Sequence, residues 1–242
     1  MNNKKGVSVH LEMILAFVIF ILFVTFLLAY IRPYEKKDAV SDAVLVGFYD
    51  SFKQQASVNL TTIFIRNTDN AKKCISIADL TTIDPYFSPG EDAFVKKVSA
   101  GKLSAHVSGT SLVTSLDKND SAYLLLSTEF TSSVYTCNSG GTFEAGVPLR
   151  KLVLSRTKLT SLSNQYTADY NDLKTKLNIP ENIDYAIIVK NFDGVGSDLT
   201  MDIGKDVVDS QNINVVSKSY YEELLKTEDG TLANYEVILK LW

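Results

Sequence analysis

The sequence predicts an α+β protein: a long N-terminal helix, transmembrane and then amphipathic, followed by a β-rich extracytoplasmic head with one further helix. Three observations support this fold class. Residues 13–31 form an apolar run of nineteen residues without a charge, residues 40–56 repeat apolar side chains at helical spacing, and much of the remaining chain alternates like strands. The predicted divisions are a leader (1–6), a transmembrane helix (7–32), an amphipathic helical extension (33–57) and a β-rich head domain (58–242).

The apolar run is the basis for the transmembrane prediction. As a helix it would be roughly 28 Å long, close to the thickness of a bilayer's hydrocarbon core. A cleaved secretory signal would have a shorter run, about 7 to 15 residues, and small residues at its end. Large residues stand there instead, Tyr30 and Ile31 among them. The run therefore favours an uncleaved helix with the lipid bilayer as its partner.

The residues ahead of the run suggest a more specific interpretation. The leader is short and basic and ends in Lys4-Lys5-Gly6, and one carboxylate, Glu12, stands at the edge of the run. An ionised group at bilayer depth costs about 2.5–3.5 kcal/mol at the centre, so such a group usually has a partner. Together these features resemble the class III signal peptide of type IV pilin-like proteins, particularly those of archaea.

That resemblance implies processing and assembly. A prepilin peptidase would cut between Gly6 and Val7, and the apolar helix would stay with the mature chain. The new amine of Val7 would then pair with Glu12 of a neighbouring subunit, through self-assembly or with other pilin-like subunits. Glu12 would be the sixth mature residue, whereas the glutamate typical of the family is the fifth.

The topology prediction depends on the short N-terminal tail. Lysine and arginine are almost equally frequent on the two sides of the run, so charge alone does not orient it. A short tail ahead of a long C-terminal domain favours a single-pass membrane protein with a cytoplasmic N-terminus and its C-terminal domain outside the cytoplasm, at the cell surface.

The amphipathic extension follows Pro33, a residue that kinks or ends a helix. Apolar residues then recur every four positions, which predicts one buried helical stripe against the head. They are Val40, Val44, Phe48, Phe52 and Ala56.

The head is predicted to be mostly strands. The expected strands are 60–66 and 74–78 as a hairpin around the turn 67–70, then 123–130, 134–137, 149–155, 185–189 and a closing strand 235–241. One helix is expected over 161–177, ended by Asn178-Ile179-Pro180. Asp229-Gly230 predicts the turn of the last hairpin.

The two cysteines, Cys74 and Cys137, leave two arrangements open. In an oxidising compartment they could form a disulfide that closes a loop of about 64 residues and contributes roughly 4 kcal/mol. Otherwise they are two separate buried thiols.

Composition and motifs point away from catalysis. His10 lies beside Glu12 at the edge of the apolar run, and His106 has no cysteine or acidic residue at ligand spacing. No catalytic or nucleotide-binding motif is present. We expect no enzyme activity, no metal and no cofactor. The acidic, glycine-containing stretch 193–198 is of the kind that binds calcium, but its spacing does not match an EF-hand, so a solvated turn is the preferred interpretation.

The net charge of the predicted head limits the partners that it can bind. Residues 33–242 carry 21 basic and 27 acidic side chains, which argues against nucleic acid as a partner. The sequence thus predicts a membrane-anchored, pilin-like structural subunit, or a minor component, of a type IV-type filament or secretion assembly. The alternative is a permanently anchored surface protein whose head binds a ligand or partner.

Overall fold

The structure, a computed structural model, describes residues 4–99, 101–137, 140–191, 201–204 and 215–242. Within helix α1 the described side chains are those of residues 13–27 and 42–56, and in 201–204 only that of Ile203. The helices of the described chain are α1 (Lys4–Ala56), α2 (Arg156–Ala168) and α3 (Tyr170–Lys176), with a short 3-10 turn at Leu80–Thr82. The strands are β1 (Ser57–Asn67), β2 (Cys74–Ile77), β3 (Asp92–Lys97), β4 (Lys102–Leu103), β5 (Ala105–Ser108), β6 (Ser111–Ser115), β7 (Ser121–Ser127), β8 (Phe143–Ala145), β9 (Leu149–Ser155), β10 (Tyr185–Asn191), β11 (Met201–Gly204), β12 (Val216–Lys226) and β13 (Thr231–Leu241).

The chain divides into two compact units, Met1–Gly47 and Phe48–Trp242. The first unit contains α1 up to Gly47. The second, called the head below, contains the last turns of α1 and all the strands and remaining helices of the described chain.

The structure corrects the transmembrane part of the predicted fold class. Across the side chains that are described, no helix is both long and apolar enough to cross a membrane. The prediction of a transmembrane helix over 7–32 is therefore wrong, and so is the single-pass topology with a cytoplasmic N-terminus and an extracytoplasmic head.

The described strands of the head form two sheets. The larger has ten strands in the order β11-β10-β13-β12-β9-β1-β7-β3-β4, with β8 also pairing with β1. Its pairings are antiparallel except for the short contact of β12 with β9, at Leu224–Leu154 and Leu225–Ser155. The smaller sheet has the order β2-β6-β5.

Alternation along β1 supplies two apolar clusters on opposite faces of the large sheet. Ile63 and Ile65 are fully buried in a cluster with Ile75 and Leu112, which belong to the small sheet. The even-numbered residues of β1 face the other side of the sheet, where Leu60 belongs to a second cluster. The other buried members of that second cluster are Val58, Phe94, Leu125, Phe130, Val153 and Leu225.

The small sheet also explains why the predicted hairpin of β1 with β2 is wrong. β1 pairs with β7, with Ile63 opposite Leu124, whereas β2 pairs with β6. The last residue of β1 is Asn67, which is fully buried, and its side-chain amide donates to the carbonyl oxygens of Leu116 (2.7 Å) and Lys72 (3.0 Å). These bonds direct the chain into the second layer instead of back along β1.

The predicted single helix over 161–177 is two helices, α2 and α3. Asp169 between them has extended backbone (φ −153°), and its carboxylate accepts from the backbone N–H of Asp172 at 3.0 Å. An aspartate in this position is a favourable N-cap, so it starts a new helix instead of continuing the old one. The segment 131–137 has no regular structure, so the predicted strand over 134–137 is also wrong.

The closing hairpin is confirmed. β12 and β13 pair along their whole length, and Gly230 in the turn has φ +65°. A Cβ atom at this position would lie 2.8 Å from Cδ1 of Phe94, so the turn needs glycine both for its backbone conformation and for its close approach to the sheet. β13 lies between β10 and β12 and is part of the sheet, as predicted.

Candidate functional site

The most unusual surface of the described chain is the apolar stretch of α1, residues 13–27. Every side chain in it is exposed except that of Val24, which is half-buried. The exposed fractions of its large apolar residues run from 39% for Leu27 to 72% for Met13. Single exposed apolar residues are ordinary, but a contiguous set this large marks an interaction surface.

The exposure is not confined to one side of the helix. Val18 and Phe20, which lie about 200° apart around a helix axis, are 48% and 63% exposed. A helix that is apolar all round is normally buried on all sides, unlike an amphipathic surface helix. The stretch therefore needs cover on more than one face.

The side chains of this stretch need no hydrogen bonds from water. Its one polar side chain, Thr25, donates its hydroxyl back to the carbonyl oxygens of Ile21 (2.8 Å) and Leu22 (3.0 Å). Burying each large apolar side chain is worth about 1.5–3 kcal/mol, and here little polar desolvation opposes that gain. The chemistry that the stretch supports is association with other apolar surfaces.

The residues predicted for processing and subunit pairing, Gly6, Val7 and Glu12, lie outside the described side chains, as does His10. Their predicted roles stay predictions. The acidic stretch 193–198 lies outside the described residues as well.

The last turns of α1 are held in the head by a buried aromatic contact and a polar cluster. Phe48 and Phe52, from the predicted helical stripe, are fully buried, and the Phe48 ring packs edge-to-face on Tyr185 at 5.6 Å between centroids. On the neighbouring face, Lys53 donates to Glu222 Oε1 at 2.7 Å, and the Tyr49 hydroxyl donates to the same oxygen. The prediction of a buried stripe is thus confirmed for these two phenylalanines; Val40 lies outside the described side chains.

In the head, Tyr49, Tyr170 and Tyr185 have a raised pKa. Burial is the largest cause for each of them. Hydrogen bonds add to the effect: Tyr49 donates to Glu222, and Tyr170 donates to Asp184 at 2.7 Å. In the folded head these phenols therefore keep their protons at pH values where a solvated tyrosine loses its own.

This difference predicts alkaline destabilisation. A group whose pKa is raised by folding contributes stability below its unfolded pKa, here about 10 for tyrosine, and that contribution is lost as pH rises further. We expect the free energy of unfolding to fall above about pH 10, measured by urea titration at several pH values with tyrosinate absorbance as a second readout. In Tyr185→Phe the fall should be shallower. An unchanged slope in that variant would contradict the assignment for Tyr185.

The structure joins Cys74 and Cys137 in a disulfide, one of the two arrangements that the sequence left open. Their Cα atoms are 6.2 Å apart. The bridge ties the irregular segment 131–137 to the edge of β2. The same edge is met by Gly141, whose N–H donates to the carbonyl oxygen of Cys74 at 2.9 Å.

The head also has a cleft of about 390 Å³ beside β1 and β9. Its two cations are already engaged: Arg150 contacts the buried Glu91 at 3.2 Å, and Lys158 donates to the carbonyl oxygen of Ser57 at 2.7 Å. Across the described residues, no group of three or more His, Cys, Asp or Glu is placed to hold a metal ion. Ring nitrogen Nδ1 of His106 is buried without a hydrogen-bond partner in the described part of the chain.

Sequence reasoning missed the polar cluster around Glu222. Tyr49 and Lys53 are one helical turn apart, which was a visible signal of a shared face, but Glu222 is 169 residues beyond Lys53. Only strand order brings β12 to that face.

Comparison of the chain with protein-family models, with curated proteins and with solved structures gives no match.

Proposed function

We propose that this chain is a pilin-like structural subunit, or a minor component, of a type IV-type filament or secretion assembly. In this proposal the apolar stretch of α1, residues 13–27, packs against the same stretch of other copies and forms the core of the assembly. The observation that carries the proposal is the exposure of apolar side chains on all faces of this helix.

A bundle of copies covers such a helix better than a single partner does. A groove on one partner covers one face, whereas neighbours on several sides cover all of them. A helix with the same apolar character on every face is also its own best partner, because any two copies present matching surfaces. The heads, whose charge is net negative, then remain in solvent around the core.

Processing at the N-terminus is the second part of the proposal. A prepilin peptidase would cut between Gly6 and Val7, and the freed Val7 amine would pair with Glu12 of a neighbouring copy. The support is the Lys4-Lys5-Gly6 sequence directly ahead of the apolar run. The mass of the protein isolated from its native host should correspond to a chain without residues 1–6. The Gly6→Val variant should keep those residues. A native chain that keeps Met1 would contradict the processing step.

The test of assembly uses charges placed on opposite faces of α1. We expect Phe20→Glu and Val18→Glu each to weaken self-association at least about a hundredfold, since a carboxylate buried among apolar side chains costs several kcal/mol. Sedimentation velocity of the full chain measures the change. Gln55→Glu is the matched control, because Gln55 is exposed in the same helix and outside the apolar stretch.

Three outcomes separate the possibilities. Loss of assembly in both variants, but not in the control, supports a bundle of helices. Loss in only one variant would show that a single face is covered, which contradicts the proposed core. A full chain that stays monomeric in buffer and floats only with phospholipid vesicles would overturn the proposal altogether.

A further inference from the structure

A second apolar surface lies on the sheet of the head. It consists of Phe64, Tyr123, Val147 and Leu149, called the outer patch below. Val147 and Leu149 are 82% and 71% exposed, and the two aromatic side chains are each more than 40% exposed. These exposed fractions are large for apolar residues in a β-sheet and in the loop between β8 and β9.

The outer patch is contiguous. Phe64 and Tyr123 are directly opposite each other on β1 and β7, and their rings pack edge-to-face with centroids 5.9 Å apart. Leu149 is opposite Thr62, which shares a face with Phe64 because it is two residues away in the same strand. Val147 follows Gly146, whose N–H donates to the carbonyl oxygen of Phe64 at 2.8 Å.

The outer patch lies on a face of the large sheet that is buried in one part and exposed in another. On this same face of the sheet, Phe94 and Leu125 belong to the second buried cluster. The turn at Gly230 reaches them, since a Cβ there would lie within 3.1 Å of both side chains. Beyond that turn the apolar face runs on to Tyr123 and Phe64, which the described chain leaves 43% and 41% exposed.

Charges of both signs surround the patch. Arg66 is opposite Glu144 in the pairing of β1 with β8, and Lys96 is opposite Tyr123. Burial acts to raise the pKa of the nearby Asp229 carboxyl, but the hydrogen bonds from Thr231, followed by the charges of Lys96 and Lys226, lower it. Cations and carboxylates are therefore both present around the patch. An apolar centre with a polar rim is the anatomy of a protein–protein interface, and a rim of mixed sign offers a polyanion no uniformly basic surface.

We infer that the outer patch is a contact between heads, and that its occupant is the outer patch of a second copy of this chain. In a two-fold contact each surface meets itself, so Arg66 of one copy faces Glu144 of the other and the reverse. A mixed-sign rim satisfies that pairing, whereas a rim of one sign would repel itself. The inference rests on the proposed function, because association of the α1 helices would bring heads together and raise their local concentration.

The first experiment uses a reporter thiol. Both native cysteines are in the disulfide, so Leu149→Cys introduces the one thiol of the chain. We expect a short bismaleimide to link two full-length copies through Cys at 149 roughly tenfold faster than through Cys at 182, made by Asn182→Cys, because a close contact raises the effective concentration. Asn182 is exposed and outside the patch.

The second experiment tests the rim by mixing variants in the Leu149→Cys background. Arg66→Glu alone and Glu144→Arg alone should each slow cross-linking, because like charges then meet across the contact. An equal mixture of the two variants should recover the rate, since positions 66 and 144 are then both acidic in one copy and both basic in the other. A contact between Arg66 and Glu144 within one chain would not be restored by mixing.

The outcomes distinguish this inference from the proposed function. Assemblies that sediment normally while position 149 links no faster than position 182 would overturn the inference and leave the proposed function standing. Fast linking at 149 in a chain that does not assemble through α1 would support the inference and contradict the proposed function. Slow linking that the mixture fails to recover would show that the rim charges do not meet between copies, and would overturn the two-fold contact.

Discussion

Phe48→Ala should lower the free energy of unfolding of this protein by about 3–5 kcal/mol. Phe48 is fully buried where α1 enters the head, and its ring packs edge-to-face on the equally buried Tyr185 at 5.6 Å. The loss has two parts: the transfer free energy of the ring, and the cavity left in an interior packed at close to crystalline density. An aromatic pair adds about 0.5–1.5 kcal/mol beyond its buried area.

Urea unfolding followed by the fluorescence of Trp242, the only tryptophan, measures this loss. Gln55→Ala is the matched control, because the position is exposed in the same helix and alanine favours a helix. The control should change stability by less than about 0.5 kcal/mol. A loss in Phe48→Ala no larger than in the control would show that these turns of α1 are not part of the cooperative core of the head.

Removing the disulfide should have an effect of similar size. The bridge from Cys74 to Cys137 spans a sequence separation of 63 residues. In the chain-entropy account, closing a loop of this length stabilises the fold by about 4 kcal/mol, because the unfolded chain loses conformations that the folded chain never used. We expect Cys74→Ala/Cys137→Ala to lower the free energy of unfolding by roughly 2–4 kcal/mol, measured by urea unfolding at neutral pH.

The parent chain with and without reductant provides the control. Reductant should destabilise the parent to the level of the double variant and leave the double variant unchanged. Limited proteolysis gives a local readout, since the irregular segment 131–137 should become a cleavage site when its tie to β2 is lost. Equal stability of parent and variant, with and without reductant, would contradict a stabilising bridge.

Local signals were sufficient for several elements of the head. The Asp229-Gly230 turn forms as predicted, because a tight hairpin turn depends on backbone conformations that glycine reaches easily. β10, expected as an apolar strand, is paired on both sides and buries Tyr185, Ile187 and Val189 fully. In such cases the determining interactions lie within a few residues of each other.

Pairing between distant strands was not predictable in the same way. β1 and β2 are neighbours in sequence and looked like a hairpin, yet they belong to different sheets. The choice depends on how many apolar side chains each arrangement buries across the two layers, which is a property of the whole domain. The outer patch likewise becomes visible only when β1, β7 and β9 are side by side.

The sequence by itself determined which segments are apolar, where the backbone can turn and which helical stripe enters the head, because periodicity and turn chemistry are local properties. It did not determine what surrounds the run of residues 13–27, because an uncharged apolar helix has the same composition whether lipid or other helices cover it; there the transmembrane prediction was wrong. Tertiary structure alone decided the cysteine pairing, the sheet order and the part of the sheet face left uncovered. Each of these depends on distances between residues remote in the chain, and those distances are set by packing.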